Sequence, residues 1–275
     1  MKYATYEHAA ERRVGEVRGD VLVPLDGITE IGVDTPTDVL ANATRLESRA
    51  VAVADVRILP VVPNPTKILC VGLNYKDHIA ETGRDTPTYP VMFAKYASNL
   101  LGATDDIALP PESSAVDYEG ELAVVIGRGG RRIAELDALD HVLGFAAAND
   151  ITMRDFQYKT HQWIQGKAWD ASTPVGPYVV TPDEIDLGAC GIRTIVNGTT
   201  VQDSDLSQLL FTVENLVATI STFTRLEPGD IILTGTPGGV GFRKEPKLLL
   251  QPGDDVRVEI DNIGTVSNAV VVEKA

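Results

Sequence analysis

Two glutamates stand one residue apart in Asp117-Tyr118-Glu119-Gly120-Glu121, and the apolar run Leu122-Ala123-Val124-Val125-Ile126 follows at once. A strand sends residues i and i+2 to one face, so a strand here carries Glu119 and Glu121 side by side towards a buried region. Two carboxylates that close, and partly desolvated, repel each other unless a proton or a cation stands between them. Any fold of this chain therefore has to bring a counter-charge to the head of a buried strand. A divalent metal does so most simply, and a solvated strand end is the plainer alternative.

A third acid closes another apolar stretch, Leu143-Gly144-Phe145-Ala146-Ala147-Ala148-Asn149-Asp150. Three carboxylates with no Cys or His cluster beside them select a hard cation with oxygen ligands. Glu119, Glu121 and Asp150 are thus candidate ligands for Mg²⁺ or Mn²⁺ rather than Zn²⁺. Three protein ligands leave positions for water and substrate, and Gly120 leaves room for close backbone approach.

The charge balance narrows the partners. With 39 acidic against 24 basic residues the net charge is −15, which excludes general nucleic-acid binding, since that needs a basic footprint. It also argues against an anionic membrane surface. A small anionic substrate is still allowed if local cations hold it. No stretch of about 18 apolar residues is present, and the N-terminus does not read as a signal peptide, so the expectation is a cytoplasmic protein with no membrane partner. Cys70 and Cys190 sit in apolar surroundings far apart and read as buried apolar residues, not a disulfide. Asn197-Gly198-Thr199 reads as a turn.

The pattern predicts a small N-terminal α+β module over 1–62, with short strands at Tyr3 to Tyr6, Arg13 to Val17 and Val21 to Leu25, and a helix over Val39 to Arg45. Three prolines in Pro60-Val61-Val62-Pro63-Asn64-Pro65 mark a linker. From Lys67 the texture changes, and the rest of the chain reads as a second, larger unit. Expected strands are Ile68 to Leu73, Leu122 to Ile126, Val142 to Ala148, Tyr178 to Val180, Thr194 to Val196, Asp230 to Leu233, Asp255 to Ile260 and Val266 to Val272. Helices are expected at 77–82, 153–160 and 207–224. Strands do not alternate regularly with helices, so a doubly wound parallel sheet is excluded. The prediction is a mainly β chain with some α, built as a mixed β-sheet roll.

Further chemistry is carried by His78 and Glu81. At i and i+3 on a helix they share a face. A carboxylate on one imidazole nitrogen fixes the tautomer and raises the basicity of the other, although the same spacing also gives simple surface ion pairs. Lys167, in Gly166-Lys167-Ala168, can hold a carboxylate or oxyanion as a point charge, or stand on the surface. The loop Thr234-Gly235-Thr236-Pro237-Gly238-Gly239 follows a strand but lacks the Gly-Lys-Ser/Thr ending of a phosphate loop, which excludes nucleotide binding. His8 falls in the small N-terminal module, and His141, which precedes a strand, reads as structural. His161 reads as non-catalytic, near enough to the site to tune the substrate together with the stretch Tyr89 to Tyr96.

Five strings occur in order: Gly72-Leu73-Asn74-Tyr75-Lys76-Asp77-His78-Ile79-Ala80-Glu81; Asp117 to Leu122; Asn149-Asp150-Ile151-Thr152 with Arg154-Asp155-Phe156-Gln157; Gln165-Gly166-Lys167; and Gly229 to Gly241. Together they resemble the fumarylacetoacetate hydrolase family over about residues 66–275. The resemblance implies a β-roll catalytic domain, a homodimer, and Mg²⁺ or Mn²⁺ on Glu119, Glu121 and Asp150. Asn74 stands where larger members carry a further aspartate ligand, so the smaller bacterial members are the better match. It assigns His78 and Glu81 to a mobile lid that includes 81–87. It points Lys167 at the substrate, gives Gln157 a positioning role, and gives Thr236 the substrate carboxylate. The implied reaction is hydrolysis of a carbon–carbon bond in a 2,4-dioxo acid of the acylpyruvate or fumarylpyruvate type, with His78 activating water and pyruvate leaving as its enolate. Oxaloacetate decarboxylation and isomerisation of a 2-hydroxyhepta-2,4-diene-1,7-dioate use the same enolate and are the alternatives, with ureidoglycolate cleavage more distant. A silent metal-binding scaffold is the non-enzymatic one.

Overall fold

The structure is a computed structural model that describes residues 1–83 and 85–274. Arg84, within the segment expected to act as a lid, lies outside the described residues. The fold is mainly β with some α, and its sheets are mixed, as the sequence predicts.

The run Gly120–Ile126 is buried along its whole length. Its residues divide by parity, as a period of two demands. Leu122, Val124 and Ile126 enter one core, with Phe145, Val258, Ile260 and Val266. Ala123 and Val125 enter another, with Leu143, Ala146, Ala148, Ile231 and Leu233. A strand covered on both faces has no reason to alternate with polar residues, which explains its unbroken apolar sequence.

This strand lies inside a 12-stranded sheet. On one side it pairs antiparallel with Val142–Asn149, which pairs with Thr173–Val180. On the other it pairs with Ile231–Leu233, which runs parallel to Ile68–Gly72, and Val91–Lys95 follows. A five-stranded sheet, in the order Thr199–Asp205, Gly191–Val196, Asp255–Ile260, Gly264–Val272, Ile107–Leu109, packs across the first core. Gly120 is a point of close approach: a Cβ built there would lie 2.3 Å from Thr194 Oγ1.

The N-terminal strands continue the main sheet. Lys2–His8 pairs antiparallel with Thr173–Val180, Tyr3 opposite Val179, and Glu11–Arg18 and Val21–Pro24 follow outward. Tyr3, Val14, Leu25 and Leu40 share the second core with Ala123 and Val125.

Several elements differ from expectation in extent. The helix expected over 207–224 spans Val213–Phe223, capped by the Thr212 hydroxyl, which accepts from Asn215 N. It starts late because Leu210 and Phe211 donate their amides to Asn74, to its carbonyl at 2.8 Å and its Oδ1 at 2.7 Å. The helix expected over 153–160 is the single turn Arg154–Gln157, followed by Ile164–Lys167. The first helix spans Thr37–Asn42, since Arg45 bridges to Leu25 instead. Among the described residues no helix is long and apolar enough to cross a membrane.

A buried carboxylate cluster and its cleft

Antiparallel register builds the cluster. Gly120 at the head of its strand sits opposite Asn149 at the end of the neighbouring one. Their flanking residues, Glu119 and Asp150, therefore meet, and Asp150 N donates to Glu119 O at 2.8 Å. Asn149 Oδ1 accepts from Glu119 N at 3.0 Å, which fixes the approach. Glu121 lies two residues along, where the chain leaving Ile231–Leu233 brings Gly235 N within 2.8 Å of Glu121 Oε2. Glu119, Glu121 and Asp150 are all buried, and one ligand oxygen from each lies within 4.8 Å of the others.

Charges arrive to match. Lys167 Nζ donates to Glu119 and, at 2.7 Å, to Asp150 Oδ2. Lys95 Nζ donates to Asp150 Oδ1 at 2.5 Å. Arg154 pairs with Glu119 Oε1 at 2.7 Å and with Asp117 Oδ2 at 2.8 Å. Asp117, Glu119, Glu121 and Asp150 thus face Lys95, Arg154 and Lys167, all buried, and one negative charge is left over. Burial would raise the Glu119 pKa, but the Lys167 and Arg154 cations outweigh it and hold the group below the usual carboxylate range. Burial, followed by the Asp150 and Glu119 charges, pushes Glu121 well above that range. Glu121 is thus the one carboxylate of the set without an ion pair among the described residues, and it keeps a proton unless a cation stands where the three oxygens converge. An all-oxygen, buried set with one more carboxylate than cations fits a hard divalent cation.

His78, Glu119, Glu121, Gln157, Lys167 and Thr236 line one cleft, with Arg154 among them. Asp150 lies beneath, reached through Lys167. The helix Lys76–Thr82 carries His78 and Glu81, as the spacing predicts. His78 Nδ1 lies 3.1 Å from Glu81 Oε2, and Glu81 Oε1 accepts from Gly239 N at 3.1 Å. An ionised carboxylate only accepts, so Nδ1 carries the hydrogen, which in the neutral ring leaves the lone pair on Nε2. Gly239 makes the contact possible: its φ is +97°, and a Cβ there would lie 2.4 Å from Val201 O. Thr236 Oγ1 accepts from Gln202 Nε2 at 2.8 Å, which leaves the hydroxyl hydrogen free to donate. Gln157 Oε1 accepts from Arg154 Nη1 at 3.0 Å, while Arg154 Nη2 is buried with no partner among the described residues.

Asn74 is committed to holding neighbouring backbone. Its amide is spent on Thr234 O, Phe211 O and Phe211 N. His161 lies in an adjoining cleft that shares Phe93, Tyr158 and Trp163 with the first. Of the stretch Tyr89 to Tyr96, it is Val91, Met92 and Phe93 that line that cleft. The sequence reading missed Lys95, Asp117, Arg154 and Gln202 as site residues. Asp117 and Arg154 lay inside the recognised strings, and a lone Lys closing an apolar strand was the one sign of Lys95.

The family model described as "Fumarylacetoacetate (FAA) hydrolase C-terminal" matches residues 67–271. An oxaloacetate tautomerase of Xenopus laevis, fahd2, named as mitochondrial, is 44% identical over 245 residues, covering 88% of this chain and 76% of that protein. The structure of a 5-carboxymethyl-2-hydroxymuconate delta-isomerase from Mycobacterium smegmatis superposes with a TM-score of 0.85 at 33% identity, covering 99% of this chain and 100% of that one. A maleylpyruvate hydrolase from Sphingobium sp. SYK-6 superposes with a TM-score of 0.81 at 29% identity, covering 99% and 100%.

Proposed function

Because the chain belongs to the fumarylacetoacetate hydrolase family, we propose that it is a divalent-metal-dependent enzyme hydrolysing a carbon–carbon bond in a 2,4-dioxo acid of the acylpyruvate or fumarylpyruvate type. The observation that carries this reading is the His78–Glu81 pair, whose histidine lines the same cleft as Glu119 and Glu121. Glu119, Glu121 and Asp150 would hold Mg²⁺ or Mn²⁺. Bound there, the ion supplies Lewis-acid polarisation of the substrate's 2-oxo and carboxylate oxygens.

The protein's own groups do the rest. Thr236 donates its spare hydroxyl hydrogen to the substrate carboxylate. The unpartnered Nη2 of Arg154 and the Lys167 ammonium face the oxygen on which negative charge develops. His78 takes a proton from water as that water attacks the 4-carbonyl carbon, and Glu81 stabilises the imidazolium so formed. The bond between carbons 3 and 4 then breaks. Its electron pair passes into the pyruvate enolate, the acyl group leaves as a carboxylic acid, and a proton returned to carbon 3 completes pyruvate.

A second reading is favoured by the named activities of relatives: proton transfer on oxaloacetate as a tautomerase, or isomerisation of a 2-hydroxyhepta-2,4-diene-1,7-dioate; decarboxylation of oxaloacetate would use the same groups. It needs no water attack: tautomerisation and isomerisation pass through an enolate of the intact 2-oxo acid, and decarboxylation through the pyruvate enolate. A spectrophotometric panel of fumarylpyruvate, acetylpyruvate, oxaloacetate and the dienedioate, run after chelation and after return of each metal, separates the two. The first reading requires the highest kcat/KM on an acylpyruvate. A panel led by oxaloacetate or the dienedioate would replace it, and no turnover of any acid would leave a metal-binding scaffold. A homodimer is part of the proposal, to be tested by light scattering. So is a cytoplasmic location, to be tested by fractionation, since one relative is named as mitochondrial.

A further inference from the structure

One cleft residue has no part in this chemistry. Arg243 ends the short turn Gly241–Arg243 and lines the cleft. Among the described residues no carboxylate pairs with it, whereas Arg154, the other arginine there, is committed to Asp117 and Glu119. The backbone beneath Arg243 is held firmly. Gly241 N donates to Asp117 Oδ1 at 2.8 Å and Phe242 N to Asp117 Oδ2 at 3.1 Å. The same carboxylate accepts from Arg154 Nε at 2.8 Å. Asp117 therefore fastens the turn that carries Arg243 to the arginine gripping Glu119. Next to it the Phe242 ring packs on Tyr158, with centroids 5.6 Å apart, and walls the approach.

A planar guanidinium matches a carboxylate with two parallel donors. In a chain of net charge −15, one left unpaired on the rim of an anion-binding cleft is positioned for a ligand. We propose that Arg243 receives the second carboxylate of a dicarboxylic 2-oxo acid, so that diacids are selected over monoacids of equal length. The inference rests on the reading that the carboxylate-cluster end of the cleft takes the 2-oxo acid head. It adds the chemistry of the far end.

The test is calorimetry of the Mg²⁺-loaded protein with 2-oxoglutarate and 2-oxopentanoate, which share a carbon chain and differ in the terminal carboxylate. The wild type should bind the diacid about tenfold tighter, the scale of one charge-assisted contact. Arg243→Gln should reduce that ratio to within about twofold while 2-oxopentanoate affinity stays near wild type. Lys247→Gln removes an equal charge from the ammonium lying 3.8 Å over the Phe242 ring, and should keep the preference. Equal affinities in the wild type, a preference that survives Arg243→Gln, or an equal loss in Lys247→Gln would each overturn the assignment. Neither acid is cleaved here. A failed acylpyruvate panel with this preference intact therefore removes only the reaction, and binding of neither acid removes both.

Discussion

Removal of the Glu119 carboxylate separates two of its duties. It is a candidate metal ligand, and it is also the partner of two buried cations, Arg154 and Lys167. Glu119→Ala should abolish metal binding by calorimetry and, without metal, lower unfolding stability in urea by about 3–5 kcal/mol, the cost of stranding a buried charge. Retained metal would refute the ligand role, and unchanged stability would refute the pairing. His78 is a different case. General-base catalysis contributes about 10²–10⁴-fold, so His78→Ala should cut turnover by that factor and leave metal affinity near wild type. The pH behaviour falls to Glu81. Burial acts to raise its pKa, but the hydrogen bonds from His78 and from the Gly239 amide outweigh it and leave the group below its ordinary 4.5. A depressed folded pKa favours the ionised form. Its stabilisation is therefore complete above the ordinary value and lost as pH falls through the lower folded one. Amide exchange of Lys76–Thr82, corrected for intrinsic rates, should keep its protection from pH 7 to 5 and lose it only below about 4.5. Loss of protection already at pH 6 would show that Glu81 is not the anchor.

At the scale of elements, what the sequence disclosed followed the reach of each signal. The strand Gly120–Ile126 and its acids were legible because period and burial are local. Thr173–Val180 is foreseen only over Tyr178 to Val180, since its first half carries Pro174 and Pro177, a residue type that strands rarely hold. Lys95 and Asp117 were invisible as site residues because their partners stand 55 and 37 positions away and are met only through the sheet. The start of the helix Val213–Phe223 was hidden for the same reason, since Asn74, not local propensity, takes the amides before it. Gly120 joins the two scales. With a Cβ 2.3 Å from Thr194 Oγ1 and 3.1 Å from a Val258 methyl, Gly120→Ala must push the five-stranded sheet away from the carboxylate cluster. Overpacking of this kind costs about 1–3 kcal/mol. Metal affinity should fall with it, although no ligand is touched, and calorimetry with a urea melt would show both losses. A loss of stability alone would mean that the cluster does not depend on the second sheet.

For the whole molecule, the question is whether 1–62 and 66–275 act as two folding units. The division falls in the proline-rich segment, and the family match begins at residue 67. Yet the first strand supplies the hydrogen-bonding neighbour of Thr173–Val180, and Tyr3, Val14, Leu25, Leu40, Val61 and Val62 fill the core behind Ala123, Val125, Val175 and Val179. Fully burying side chains of this size contributes about 1.5–3 kcal/mol each, comparable in sum with the 5–15 kcal/mol that holds a whole domain together. A fragment comprising 66–275 would expose that face and present an unpaired strand edge to its neighbours. The intact chain should therefore melt in one calorimetric transition, and the fragment should aggregate at temperatures where the intact chain stays folded. Two separate transitions, or a monodisperse fragment that still binds metal, would show that the first 62 residues are an appended module and that the second core serves the catalytic part alone.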